Sequence, residues 1–193
     1  FKRIFKVNNI VMDLKELLSN SSILEGNEVI IETINSMAIN CNHHFNNQSI
    51  VVLPVMTGAL TFAGHILPQL TMDLELSYIH ATRYRNNIGQ KEVEWLFQPE
   101  KELIQDKIVL VLDDILDQGI TLKSIREKLL FLGAKQVFTA VLFDKRIKSG
   151  RSIEADFTGL EIPDKYVFGF GLDFDGIGRN IPHLYAYNKD ESQ

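Results

Sequence analysis

The stretch IVLVLDDILDQGIT, Ile108 to Thr121, decides how the chain is read. Ile108 to Leu112 is an uninterrupted apolar run of strand length, the pattern of a strand covered on both faces in a parallel sheet. Asp113, Asp114 and Asp117 then crowd onto its end, followed by Gly119 and Thr121. Three carboxylates so close repel one another, so the turn calls for a compensating ligand. TLKSIREKLLFLG follows, with Leu122, Ile125, Leu129 and Leu132 on one helical face and Gly133 as a stop, and VFTAVLF supplies the next apolar strand. The unit is β-α-β, hence two parallel strands joined by a right-handed crossover.

Working outward, the same grammar recurs upstream. Ile30, Ile34, Met37, Ala38, Cys41 and Phe45 repeat with helical spacing, Ile50 to Met56 reads as a strand ending at Thr57-Gly58, and ALTFAGHILPQL returns to a helical pattern. Leu74 to Tyr84 reads as one strand, and the polar RNNIGQKEVEW after it reads as a loop able to return as a hairpin. From Lys145 onward Gly, Pro and Asp become frequent, which suggests a lobe packed over the sheet edge. The expected fold is therefore α/β, a parallel sheet flanked by helices, in a single domain over residues 1–193. Its core spans about 28–144, a small hood is built from about 145–187 with N-terminal residues, and a mobile lid covers about 84–95.

Composition narrows the function. A chain of 193 residues with 45% hydrophobic and 23% charged residues suits one domain with a real core. A net charge of -5 with no basic block argues against nucleic acid as a partner. No apolar run reaches bilayer-spanning length, and FKRIFKVNN lacks a signal-peptide core, so a cytoplasmic protein without a membrane partner is expected. Cys41, the single cysteine, falls on an apolar helical face and reads as packing. His43, His44 and His80 lack metal-ligand spacing. Trp95 and Phe97 read as packing against the body.

Ligands of doubly wound sheets bind beyond the carboxyl ends of the strands, which is where the aspartate turn lies. Amides from Asp117 to Thr121 lead into a helix start that favours an anion, Gly119 lets the backbone come close, and Thr121 adds a hydroxyl donor. Carboxylates beside such a cradle suit sugar hydroxyls or a divalent cation, so the turn fits a phosphorylated sugar. A pair of aspartates alone is more often a solvated turn. The third carboxylate with Gly and Thr moves the reading to a ligand site. Neither a P-loop nor a dinucleotide fingerprint is present.

With these residues in view, VLVLDDILDQGITL resembles the phosphoribosyl diphosphate (PRPP) signature of type I phosphoribosyltransferases. LFDKR together with IPDKYVFGFGLDFDGIGRN resembles more specifically the hypoxanthine-guanine phosphoribosyltransferases, the likeness running from about Val51 to Tyr187. The resemblance implies a Mg²⁺-dependent transfer of phosphoribose from PRPP to hypoxanthine or guanine, giving IMP or GMP and diphosphate, in a homodimer or homotetramer. It implies that Asp113 and Asp114 hold the ribose hydroxyls, that Asp117 stands near purine N7 as the catalytic group, and that Asp117, Gln118, Gly119, Ile120 and Thr121 form the 5'-phosphate loop. Lys145 would donate to the 6-oxo group, Tyr166 stack on the base and Val167 read its edge. Asp173 lies near a second Mg²⁺ position, so Asp113, Asp114 and Asp173 are the metal candidates. Arg179 and the Thr57-Gly58 loop, where the family has a cis non-proline peptide, would bind diphosphate, and Arg83-Tyr84 would open the lid. The chain departs from common family patterns at Thr57, Arg83, Asp113, Gln118 and Ile120. Competing expectations are a PRPP-sensing regulator, a xanthine-preferring relative and, more remotely, a phospho-acceptor receiver domain.

Overall fold

The computed structural model describes residues 13–83, 93–147 and 150–188. The elements in chain order begin with α1 (Leu14–Ser19), β1 (Ser21–Glu25), α2 (Asn27–His44), β2 (Ser49–Pro54) and α3 (Leu60–Ile66), which tightens into a 3-10 turn at Leu67–Gln69. Then come β3 (Asp73–Leu76), β4 (His80–Arg83), β5 (Val93–Phe97), α4 (Lys101–Ile104), β6 (Ile108–Leu116) and α5 (Ile120–Phe131). The chain closes with β7 (Gln136–Arg146), β8 (Phe157–Pro163), β9 (Val167–Phe168) and β10 (Leu184–Tyr187).

Five strands form the central sheet in the order β3-β2-β6-β7-β8, every neighbouring pair parallel. Strand alternation explains its two-sided core. Val51, Leu53, Val109 and Val111 point to the face covered by Leu122, Ile125 and Leu129 of α5. Ile50, Val52, Leu110 and Leu112 point to the opposite face, covered by Ile30, Ile34 and Met37 of α2 and Phe62 of α3. Cys41 lies fully buried on that face of α2, where burial pushes its thiol pKa up to about 12, so it packs and does not react. His44 packs edge-on among Phe45, Phe138 and Phe157.

Because the strands are parallel, the loops after β2, β6, β7 and β8 all emerge at one edge of the sheet. A three-stranded antiparallel sheet, β1-β10-β9, makes the hood, around Leu17, Phe168 and Ile181. The N-terminal β1 thus pairs with the C-terminal β10.

The structure departs from the sequence reading in three places. Leu74 to Tyr84 is not one strand: β3 pairs with β2 only as far as Leu76, a single bridge joins Ile79 to Val55, and β4 turns away to pair antiparallel with β5. The ladder on β2 runs out just past Pro54, so the hairpin supplies the partners that the sheet no longer offers. Second, β6 continues through Asp113 and Asp114 to Leu116, which puts both aspartates on the strand and leaves only Asp117 to Gly119 as the turn. Third, the expected boundary near residue 145 falls inside β7, and β8 is the fifth strand of the central sheet and not part of the hood. Residues 84–92, the greater part of the expected lid including Tyr84, lie outside the described residues; Val93 to Trp95 belong to β5, and Arg83 ends β4. Trp95 is partly buried against the body as expected, whereas Phe97 is 38% exposed and stacks on Tyr78 at 4.2 Å.

Gly159 lets β8 seat against α2: a Cβ there would strike the Leu142 carbonyl and lie 3.0 Å from Met37 Sδ. Gly159→Ala is expected to destabilise the chain by about 1–3 kcal/mol through overpacking, read as a lower urea midpoint with unchanged slope.

Candidate active site

The aspartate pair is held inside the protein. Asp113 is 8% exposed and its Oδ1 accepts from Asp114 N at 3.0 Å, while Asp114 Oδ1 accepts from Ile115 N at 2.9 Å. Burial first, and then the Asp114 charge beside it, push the Asp113 pKa well above the carboxylate range. Burial also raises Asp114, opposed by its hydrogen bonds to Asp113 and Ile115 and by the nearby Arg179 charge. The two carboxyls titrate as one coupled pair, and burial and mutual repulsion favour the protonated form of Asp113 more than that of Asp114.

Three loops close around it. After β2 the chain passes a cis peptide at Met56–Thr57 to Gly58, and any side chain at Gly58 would occupy the space of the Asp114 carboxylate. Gly171, at φ 100°, is packed against the Gly58 carbonyl in the same way. Arg179 Nη1 donates to the Gly171 carbonyl at 2.6 Å and Nη2 pairs with Asp173 Oδ1 at 2.5 Å, while Asp173 Oδ2 accepts from Gly176 N at 2.7 Å. Thr57, Gly58, Asp114, Asp173 and Arg179 are thus brought together, a cation and a set of glycine-exposed backbone groups beside the acidic pair.

On the other side, Asp117 and Gln118 are exposed and Gly119 adopts φ 72°, the left-handed conformation that turns β6 into α5. Ile120 and Thr121 are half-buried in the first turn of α5, so the amides of this turn and the helix start face the sheet edge. Lys145, its side chain 13% exposed, reaches from the end of β7 to within 3.7 Å of Asp117 Oδ2 and 3.9 Å of Asp164 Oδ1. Tyr166 is half-exposed with its ring edge-on to Phe174 at 4.9 Å, and Val167 is buried in β9, paired with Ala186.

No group of three or more His, Cys, Asp or Glu side chains forms a metal cluster among the described residues; Asp173 engages Arg179. Asp164, the second carboxylate on Lys145, was not singled out from the sequence although it stands beside the quoted motif. Asp144 and Arg151, a buried ion pair at the root of Lys145, were also missed, because a lone arginine after a strand carries no spacing signal.

Comparison with known proteins agrees with this geometry. The model of the phosphoribosyl transferase domain family matches residues 19–175. A curated hypoxanthine-guanine phosphoribosyltransferase of Mycoplasma genitalium is 30% identical over 165 residues, covering 85% of this chain and 94% of that one. Its namesake from Aquifex aeolicus is 32% identical, covering 72% and 78%. Among solved structures, a hypoxanthine-guanine phosphoribosyltransferase from Bacillus anthracis superimposes with a TM-score of 0.79 at 26% identity, covering 86% of this chain and 97% of that one.

The buried pair makes a pH prediction. With its folded pKa above the unfolded value, Asp113 leaves the native chain binding more protons than the unfolded one from about pH 4 upward, so its contribution to stability is full below that point and lost as pH rises through the folded pKa. Asp113→Asn is therefore expected to raise the Tm near neutral pH and to leave it nearly unchanged at pH ~4. Thermal melts of both proteins across that range check it.

Proposed function

The chain belongs to the phosphoribosyltransferase family, among the hypoxanthine-guanine phosphoribosyltransferases, and from that premise we propose that it salvages 6-oxopurines, converting hypoxanthine or guanine and PRPP to IMP or GMP and diphosphate. The observation that carries the proposal is the pairing of Lys145 Nζ with Asp117 Oδ2, 3.7 Å apart. A 6-oxopurine protonated at N7 presents an acceptor, O6, beside a donor, N7–H. An ammonium beside a carboxylate is the complement of that edge. Adenine presents an amino donor to Lys145, a donor facing a donor, so it is rejected by that unpaired polar contact.

The other residues follow from the same pose. Tyr166, half-exposed beside the motif, would lay its ring on the base, and the backbone at Val167 would border the purine edge. The amides from Asp117 to Thr121, with the Thr121 hydroxyl, take the 5'-phosphate; with Gln118 and Ile120 in this loop, the cradle relies on main-chain donors and the start of α5. Asp113 and Asp114 take the ribose hydroxyls. Arg179, held by Asp173 and the Gly171 carbonyl, and the backbone at Thr57-Gly58 take the diphosphate.

The bond from the anomeric carbon to diphosphate breaks, its electron pair leaving with the diphosphate, and purine N9 supplies the pair for the new bond. Asp117 receives the N7 proton as the base becomes nucleophilic and faces the positive charge that spreads over the ring. Hard carboxylate oxygens in a site of low positive charge fit Mg²⁺, which takes a few carboxylates together with substrate oxygens and water, in keeping with the lack of a three-ligand protein cluster among the described residues. Asp113 and Asp114 would hold the ion through the ribose, with Asp173 near a second position. When bound, Mg²⁺ supplies the charge that neutralises the departing diphosphate. A homodimer or homotetramer in the cytoplasm belongs to the same reading; among the described residues no helix is long and apolar enough to cross a membrane.

Steady-state turnover with PRPP and Mg²⁺ on hypoxanthine, guanine, xanthine and adenine tests the proposal. IMP and GMP are expected, with little product from adenine, and Asp117→Asn should lower kcat by about 10²–10⁴-fold. PRPP binding without turnover of any base would overturn the enzyme reading in favour of a sensor, and fast turnover of xanthine alone would reassign the base. Gly58→Ala, which forces the Asp114 carboxylate out of place, should cost about 10²-fold in kcat/KM for PRPP while the chain still folds.

A further inference from the structure

Lys145 and the Asp117–Thr121 turn lie on different strand ends, yet a nucleotide touches both at once, so their spacing needs a brace. Arg151 stands between them. Its side chain is only 16% exposed and its Nη2 lies 2.5 Å from Asp144 Oδ1, on a carboxylate side chain 14% exposed. The same nitrogen donates to the backbone carbonyl of Lys145, and Nη1 pairs with Glu154 at 3.0 Å. One guanidinium thus fixes both the residue before Lys145 and the main chain of Lys145 itself.

The neighbours of Arg151 in sequence fix the other side. Ser152 N donates to the Gln118 carbonyl at 3.0 Å, and Ile153 packs over Gly119 so closely that a Cβ on that glycine would lie 2.8 Å from Ile153 Cγ2. Within three consecutive residues the chain grips the end of β7 and the turn between β6 and α5. Burial works against the Arg151 charge, but hydrogen bonds from Asp144 and Glu154 outweigh it and leave the guanidinium pKa above its ordinary value. Glu154 is exposed and adds little; the buried Asp144 pair is the anchor.

We propose that Arg151 is a positioning residue that sets the spacing between Lys145 and the Asp117–Thr121 turn, and through that spacing the fit of a ligand bearing both a 6-oxopurine and a 5'-phosphate. This rests on the assignment of those two elements to base and phosphate. The guanidinium meets Asp144 and the Lys145 carbonyl through Nη2 and Glu154 through Nη1, a rigid planar spread of donors that a lysine ammonium on its flexible stem does not reproduce.

The test is calorimetric titration of wild type, Arg151→Lys and Arg151→Met with IMP and, separately, with ribose 5-phosphate. IMP spans both elements; ribose 5-phosphate meets the turn and the Asp113–Asp114 pair but does not reach Lys145. In Arg151→Met the Kd for IMP is expected to rise about tenfold or more while that for ribose 5-phosphate stays within about twofold, with Arg151→Lys keeping most of the defect. Equal weakening of both ligands would mean that Arg151 merely supports the turn and would overturn the inference, as would unchanged IMP binding or full rescue by lysine. If Arg151→Met fails to fold because Asp144 is left buried and unpaired, the Asp144→Asn/Arg151→Met pair removes that charge and the same ratio is read. A wild type that binds ribose 5-phosphate but not IMP sinks the proposed function together with this inference; a wild type that binds both, with the variants unaffected, sinks the inference alone.

Discussion

Burying two adjacent carboxyls at the end of a central strand is the constraint on which the rest of the site depends. A strand turns successive side chains to opposite faces, yet β6 keeps both Asp113 and Asp114 largely out of water by bonding each to the next backbone amide. Two carboxylates that close repel, and burial and that repulsion together push the Asp113 pKa up. On the proposed function, ribose hydroxyls and a divalent cation would be what offsets them.

Much of the surrounding structure follows from that constraint. Gly58 has no side chain because the Asp114 carboxylate fills the space where one would be, and Gly171 has none because the Gly58 carbonyl fills its own. The hood is thereby locked to the core through backbone contact, and Arg179 arrives with its orientation set by Asp173 and the Gly171 carbonyl. Its charge lowers the Asp114 pKa, against burial that raises it. A cation so placed eases the acidic pair, and on the proposed function it would also meet the diphosphate. Small residues at these positions are consequences of close approach, not of flexibility.

The parallel sheet was legible in the sequence because its strands are buried on both faces and read as unbroken apolar runs, and because α2 and α5 carry clean helical stripes. Where burial stops deciding the pattern, legibility stops too. Leu74 to Tyr84 looks like one strand because its β propensity is continuous, while past Leu76 the chain keeps only scattered bonds to β2 as far as Ile79 and then pairs with β5, a partner the segment itself does not announce. β8 falls in the stretch after Lys145 where Gly, Pro and Asp become frequent, which read as the hood, and its uneven burial, that of an edge strand, leaves no unbroken apolar run to mark it. At the site, the motif residues were legible through a resemblance that orders them along the chain, whereas Asp164 and the Asp144–Arg151 pair matter only through whom they meet in space.

An acidic chain that binds a polyanion is less of a paradox than its net charge of -5 suggests. The field a ligand meets is set within a Debye length, about 10 Å, by the groups that line the site. Here those are the amides and helix start at Gly119 to Thr121, the Arg179 guanidinium and the Lys145 ammonium. Lys145 and Arg179 are each already paired with a carboxylate, so neither presents a bare charge to passing anions. An inorganic anion must compete with Asp117 for Lys145 and with Asp173 for Arg179. On the proposed function, a ligand that brings an oxo group and an N7 proton together would meet Lys145 and Asp117 at once and leave both satisfied, so selectivity would arise from the pairing itself.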